Sequence, residues 1–327
     1  MLRMAQDLAH EDELTPIQKR GQDLIDRLRQ GEGEPVPTPK SSMPRIGIAL
    51  GGGSARGLTH IPFIEAMDEL GLKPSTIAGT SIGALIGAGW ANGMSGKELR
   101  EHAIGVLGTM RIIAGRLWSA QIRNIGGLLQ NGFNIQLDAM RVVDAFLPSP
   151  FPDQFRDLKV PFYVVATDFQ SWHQAVFNTG ELRPAIAGSI AIPSVFKPVR
   201  YANHVLVDGG VVNPLPLDQA SGNDILVGID VNGDPSEALQ RSEFRALDVW
   251  FGSAQIMMHS LTSHMMAAYP PDVYARPHIS AFGALEFWRV KEILEAADKE
   301  KDHFKRNLSR KVEQFISKSG ETTRAGD

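Results

Sequence analysis

An α/β fold with a largely parallel sheet is the class this sequence predicts, and three features predict it. Ile46, Ile48 and Leu50 form a short apolar run that ends in Gly51-Gly52-Gly53 and gives way to a helical pattern. A second run around Thr76–Ala78 enters Gly79-Thr80-Ser81-Ile82-Gly83 and is followed by a helix of small residues. Further short apolar runs follow at Phe162–Ala166, Val205–Val207 and Ile225–Val231. Strands that alternate with helices build parallel sheets, because each parallel pairing needs a crossover, usually a helix. The 327 residues suffice for one large domain or two small ones, with a substantial core.

Taken in chain order, Thr15 and Pro16 read as the cap and first position of a helix, with Ile17, Leu24, Ile25 and Leu28 at helical spacing. Pro35, Pro37, Pro39 and Pro44 then mark a linker. Residues 1–44 are therefore expected to be an appended helix and linker, which either packs on the main domain or binds a partner. A core is expected over 45–234 and a helical extension packed on it over 235–327. Within the core the helix Leu58–Leu70 is closed by Gly71 as its C-terminal cap, and a second helix covers Ala84–Ala91. The stretch Ile104–Phe146 is apolar, broken by glycines, and carries Trp118 and Phe133. It reads either as an interfacial lid or as a helical layer that closes the core. Phe287–Ile316 is a charged helical pattern with Val290, Ile293, Leu294, Ala297, Phe304, Leu308 and Val312 on one side.

Composition removes several classes of function. The chain has no cysteine, which excludes disulfides, a thiol nucleophile and thiolate metal ligands. Covalent catalysis here would use an oxygen or lysine nucleophile. The net charge of −4 speaks against a nucleic-acid partner. Residues 1–30 lack a continuous apolar segment, so no secretory signal is expected, and no run of 18 apolar residues predicts a membrane span. The expected compartment is the cytoplasm, with association at a membrane surface left open. No His/Asp/Glu cluster has ligand spacing for zinc or a calcium loop, and no metal or other cofactor is expected.

Three segments carry chemistry. Gly79-Thr80-Ser81-Ile82-Gly83 matches G-x-S-x-G, in which a serine on a tight strand-to-helix turn projects its hydroxyl at the positive end of the next helix. Gly51-Gly52-Gly53-Ser54-Ala55-Arg56-Gly57 follows a strand and opens a helix, as an anion site would. A dinucleotide loop needs glycine where Arg56 stands, and no Gly-Lys-Ser/Thr follows for a phosphate loop. A plain tight turn is the remaining alternative. Val207-Asp208-Gly209-Gly210 puts an aspartate at a strand end, where α/β sites lie, although Asp-Gly-Gly by itself is more often a turn.

Together these segments resemble the patatin-like phospholipases, which carry a glycine-rich loop, a G-x-S-x-G elbow and a downstream Asp-Gly-Gly or Asp-Gly-Ala in this order. Ala187–Pro198 and Val160–Asp168 also resemble that family, and the likeness extends over about Arg45–Val231. It implies a three-layer α/β core of patatin-like type, with a mainly parallel sheet between helices. It implies Ser81 as nucleophile and Asp208 as base of a dyad without a catalytic histidine. It also implies Gly51, Gly52 and Gly53 as oxyanion donors, with Arg56 beside them as an anion- or substrate-binding group; elbow geometry adds the Ile82 N–H. The implied substrates are lipids, with phospholipids or lysophospholipids cleaved through an acyl-serine. Two other readings stand beside this one. An acyltransferase or thioesterase could use the same elbow, commonly with a histidine partner. A catalytically idle, membrane-associated regulator would need neither Ser81 nor Asp208. His259, His264, His278 and His303 follow Asp208 in the chain, but ordinary packed or surface roles suit them better.

Overall fold

The sheet owes its two unlike faces to a simple alternation. In β1 (Ile46–Leu50) the sequence Ile-Gly-Ile-Ala-Leu turns large side chains to one face and small ones to the other. The computed structural model of the protein describes residues 43–121, 136–233 and 246–324. The helix and most of the linker expected before Arg45 lie outside them. The other strands are β2 (Thr76–Thr80), β3 (Phe162–Asp168), β4 (His173–Phe177), β5 (Val199–Tyr201), β6 (His204–Asp208), β7 (Ile225–Ile229) and β8 (Val273–Ala275). The order across the sheet is β5-β6-β3-β2-β1-β7-β8, with β4 also paired to β3. The pairings β3–β2, β2–β1, β1–β7 and β7–β8 are parallel, and those of β4, β5 and β6 are antiparallel.

Helices cover both faces. On the large-residue face lie α1 (His60–Glu69), α2 (Ile82–Ala91), α3 (Gly96–Gln121), α4 (Ala139–Phe146) and α5 (Leu182–Ser189). They share one core with Ile48, Leu50, Ile77, Val164 and Val227 of the strands. On the other face Ala49, Ala78 and Leu226 meet α6 (Leu217–Ala220) and Met265 and Met266 of α7 (Ala246–Ala268). The result is the mainly parallel, three-layer α/β arrangement expected from the alternation of strands and helices.

Beyond 233 the described chain adds a strand as well as helices. β8 extends the sheet beside β7, while α8 (Val290–Asp298) and α9 (Lys301–Arg324) pack against α1. The single helical pattern over Phe287–Ile316 is broken at Lys299–Glu300, yet Val290, Ile293, Leu294, Ala297, Phe304, Leu308 and Val312 are all buried. The described residues from Met43 onward make one compact unit. In the Ile104–Phe146 stretch, Leu107, Ala139, Val143 and Phe146 are buried in the core. The Trp118 side chain and Phe133 fall outside the described residues.

The way β3 is shared positions the site. β4 holds one edge of β3, from Val164 to Asp168. On the opposite edge β2 pairs with Phe162–Val165 and β6 continues from Ala166 to Asp168. β2 runs parallel to β3 and β6 antiparallel, so the two strands meet head-on at their carboxyl ends. Thr80 lies opposite Val165 and Asp208 opposite Ala166. Ser81 and Asp208, 127 residues apart in sequence, therefore arrive at one point.

Candidate active site

Ser81 occupies the turn between β2 and α2 with φ 55 and ψ −122, a conformation that side-chain-bearing residues rarely adopt. The turn is tight because α2 lies directly on β1. A Cβ added at Gly83 would sit 2.2 Å from the Leu50 carbonyl oxygen, and one at Gly79 would sit 2.5 Å from that of Gly83. Only glycine at these two positions allows so close a backbone approach. Thr80 ties the turn to the segment after Asp208 by donating from Oγ1 to the Asn213 carbonyl at 2.8 Å.

The Ser81 hydroxyl donates to Asp208 Oδ2 at 2.6 Å, and both residues are buried. The other carboxylate oxygen, Oδ1, accepts from the Gly210 N–H at 2.8 Å. The Asp208 backbone is held by its N–H on the Ala191 carbonyl at 2.9 Å and by Thr167 Oγ1, which donates to its carbonyl at 2.8 Å. Burial pushes the Asp208 carboxyl up to about 6, against the opposing hydrogen bonds from Ser81 and Gly210. A carboxylate is ordinarily a weak base; this one takes up a proton near neutrality. No histidine is among these partners of Ser81 and Asp208.

The glycine loop departs from expectation. Gly51 donates its N–H to the Ile229 carbonyl at 3.0 Å, and Gly52 donates to the Pro214 carbonyl at 2.9 Å. Both amides are committed, because the loop prolongs the β1–β7 ladder one residue past Leu50–Ile229 before it turns. Of the three glycines expected as oxyanion donors, only Gly53 has no acceptor at its N–H among the described residues, and it lines the cavity beside Ser81. Ile82 is the first residue of α2, where an N–H has no intrahelical acceptor. Arg56 lies at the wall of the same cavity with its guanidinium fastened to two carbonyls, from Nε to Phe282 at 2.7 Å and from Nη1 to Asn232 at 2.8 Å. Burial draws its pKa down from the ordinary arginine value, opposed by the charge of Glu286.

Two buried groups escape a reading of motifs. His60, the first residue of α1, is fully buried with Nε2 2.8 Å from the Gly51 carbonyl. Burial lowers its ring to about 4, so at neutral pH it is uncharged and Nε2–H donates to that carbonyl, anchoring the glycine loop. Ser189 contacts the backbone of Ser81 itself. His60 lies in no recognised pattern, and Ser189 falls within Ala187–Pro198, whose likeness to the family gave it no role of its own.

The cavity in front of the pair measures about 290 Å³, and its walls are chiefly apolar, with Ile192, Pro193, Val211, Met257 and Met258 contributing. Val211 and Met257 are also exposed at the surface, at 52% and 61%. An apolar slot with one nucleophile–base pair and a few polar groups suits an ester that carries a hydrocarbon chain.

The patatin-like phospholipase family model matches residues 48–221, which include the glycine loop, the elbow and Asp208. An NTE family protein of Mycobacterium tuberculosis is 32% identical over 212 residues, 64% of this chain and 55% of that protein. The patatin-like phospholipase domain-containing protein 6 of Homo sapiens is 29% identical over 194 residues, 57% of this chain and 13% of that one. Lysophospholipase NTE1 of Pyricularia oryzae is 24% identical over 282 residues, 78% of this chain and 18% of that one. The chain thus matches 55% of the mycobacterial relative's length and far less of the other two.

Proposed function

The chain belongs to the patatin-like phospholipase family, and from that premise we propose that it hydrolyses fatty-acyl esters of phospholipids or lysophospholipids through an acyl-serine intermediate. The observation that carries this reading is the 2.6 Å hydrogen bond from Ser81, on its strained turn, to a buried Asp208. Ser81 Oγ attacks the ester carbonyl carbon while its proton passes to Asp208 Oδ2. The carbonyl oxygen becomes an oxyanion, held by the N–H groups of Gly53 and Ile82. Each such donor contributes about 3–4 kcal/mol to transition-state stabilisation. Collapse breaks the bond to the alcohol, which leaves with the proton from Asp208. Water then attacks the acyl-serine, Asp208 takes the water's proton, and the free fatty acid departs as Ser81 recovers its hydrogen.

Arg56 supplies a fixed positive charge at the cavity wall for the substrate's phosphate or the product carboxylate. The partner this reading requires is a lipid surface. Among the described residues the exposed apolar side chains nearest the chemistry are Val211 and Met257, on the cavity itself. Phe169 and Trp172 stand exposed in the turn after β3, beyond Val165 and Ala166, opposite which Ser81 and Asp208 meet. The hydrocarbon layer of a membrane would take such side chains.

Labelling with a fluorophosphonate followed by peptide mapping tests the proposal. Modification of Ser81, lost in Ser81→Ala, together with fatty-acid release from phosphatidylcholine or lysophosphatidylcholine, is the expected result. Labelling at another residue, or no release from any lipid of a broad panel, would overturn it.

A further inference from the structure

Ser189, the last residue of α5, is fully buried, and its hydroxyl uses both of its hydrogen-bonding capacities inside the site. It accepts from the Ser81 N–H at 2.8 Å and donates to the Val165 carbonyl at 2.6 Å. Two residues further on, the Ala191 carbonyl accepts the Asp208 N–H at 2.9 Å. We infer that Ser189 is a positioning residue for the nucleophile, and that Ser189–Ala191 acts as one brace setting Ser81 and Asp208 against each other. This rests on the dyad proposed above.

The need for a brace follows from the backbone. β2 ends at Thr80, so the Ser81 N–H has left the sheet ladder, and in its buried position it requires another acceptor. The φ of 55 at Ser81 is kept by a residue with a Cβ only where the surroundings over-determine it. A backbone carbonyl could satisfy the amide but could do nothing more. A hydroxyl accepts and donates at once, so it anchors the elbow to a second fixed point. That point is well chosen. Val165 lies on β3 opposite Thr80, one residue before the partner of Asp208. Gly209, which follows Asp208, packs against the same Val165 carbonyl, and a Cβ added there would lie 2.2 Å from its oxygen. One peptide group of β3 therefore serves as the datum for both halves of the pair. Ser189 itself, without exposure and with both bonding directions occupied, is not available as a nucleophile.

The test uses the full chain and p-nitrophenyl butyrate, a soluble ester that removes any membrane step. Ser189→Ala is expected to lower kcat by about 10²-fold, the effect of displacing a reacting atom by about an ångström, with KM changed by less than about twofold. The rate of fluorophosphonate labelling at Ser81 should fall in parallel. The acid limb of the pH–kcat profile should also move to higher pH, since a misplaced Ser81 no longer donates to the Asp208 carboxylate. A loss of folded molecules would lower the extent of labelling and the apparent kcat in proportion, and would leave the limb and the labelling rate of the remaining molecules unchanged. Ser189→Thr keeps the hydroxyl and should recover at least about tenfold of the loss. Ser189→Cys, nearly isosteric but a weak acceptor, should resemble the alanine variant and decides the matter where alanine fails to fold. A folded alanine or cysteine variant with wild-type kcat and an unshifted limb would overturn the brace. Labelling of the wild type elsewhere than Ser81 would instead overturn the dyad beneath it.

Discussion

At the scale of single residues, the proposed chemistry depends on one carboxyl kept out of water. Asp208 titrates near 6 because burial disfavours its charge, so the proposed base is protonated and idle in acid. The expected kcat/KM on a soluble ester rises with pH through a midpoint near 6, read from a pH–rate profile; an acid midpoint near the ordinary value of 3.8 would contradict it. The same shift has a stability consequence of definite sign. Folded Asp208 holds its proton up to about 6, while an unfolded aspartate releases it near 3.8, so native stability from this group falls as pH rises through that window. At about 1.4 kcal/mol for each pH unit, the carboxylate costs the fold ~3 kcal/mol above that window. Asp208→Asn should therefore lose about 10³–10⁴-fold in kcat yet melt several degrees higher than wild type near pH 8, a difference absent below about pH 4. The amide can keep its Oδ1 on the Gly210 N–H and donate from Nδ2 to Ser81 Oγ, so neither partner is left unpaired. Calorimetry at the two pH values, beside the activity assay, reads both effects.

At the scale of elements, the site is assembled by close backbone contacts and then backed by helices, α1, α8 and α9, that form no part of the cavity wall. α2 rests on β1 through Gly83, and the atom that an added Cβ would meet is a main-chain oxygen that has nowhere to go. Gly83→Ala should destabilise by at least about 1–3 kcal/mol in denaturant titrations, and should cut activity more than stability explains, since the elbow moves with the helix. α9 works from further off. Leu308 is fully buried, and Phe304 meets Phe63 of α1 edge-on with ring centroids 5.1 Å apart. Arg100 of α3 bridges Glu65 of α1 and Asp298 of α8, each at 2.6 Å. Leu308→Ala should cost about 2–5 kcal/mol while kcat measured below the melting transition stays near wild type, because the cavity it leaves lies behind α1 rather than at the dyad. Element positions were largely legible from apolar runs and glycine punctuation. The short strands β4, β5 and β8 were not, because three to five residues at the margin of a sheet take their conformation from their neighbours rather than from a pattern of their own.

At the scale of the whole molecule, the sheet gathers the proposed chemistry where β2 and β6 meet, and two of the exposed apolar side chains, Val211 and Met257, line the cavity there. The turn after β3 is stiffened for display: Asp168 accepts from Ser171 Oγ at 2.6 Å and from His204 Nδ1 at 3.0 Å, and Trp172 projects with 84% of its surface exposed. Among the described residues no helix is long and apolar enough to cross a membrane. The paired change Phe169→Ala with Trp172→Ala should lower hydrolysis of phosphatidylcholine vesicles by about tenfold or more, as lost burial of two aromatic rings in the interface implies, and leave p-nitrophenyl butyrate hydrolysis unchanged. Equal activity of wild type and variant on vesicles would remove this surface from the account. The apolar stretch Ile104–Phe146, equally open from sequence to a lid or a core layer, presents Leu107, Val143 and Phe146 to the core in its described part.

What the sequence by itself determined is what local chemistry dictates. The alternation of strand and helix, the tight turn at Gly79–Gly83 and the buried stripe from Val290 to Val312 each follow from spacing that neighbouring residues set. What only the tertiary structure decided is which amides are left to act and which distant groups meet. Gly51 and Gly52 carry the right residue type for oxyanion donors, yet their N–H groups are spent on Ile229 and Pro214, strand and loop partners more than 160 residues away. Ser81 and Asp208 meet because β2 and β6 share one edge of β3 from opposite directions, and Ser189 reaches Ser81 because α5 closes over that edge. A hydrogen bond is a property of two partners in space, so a sequence motif can supply a donor without settling where its proton points.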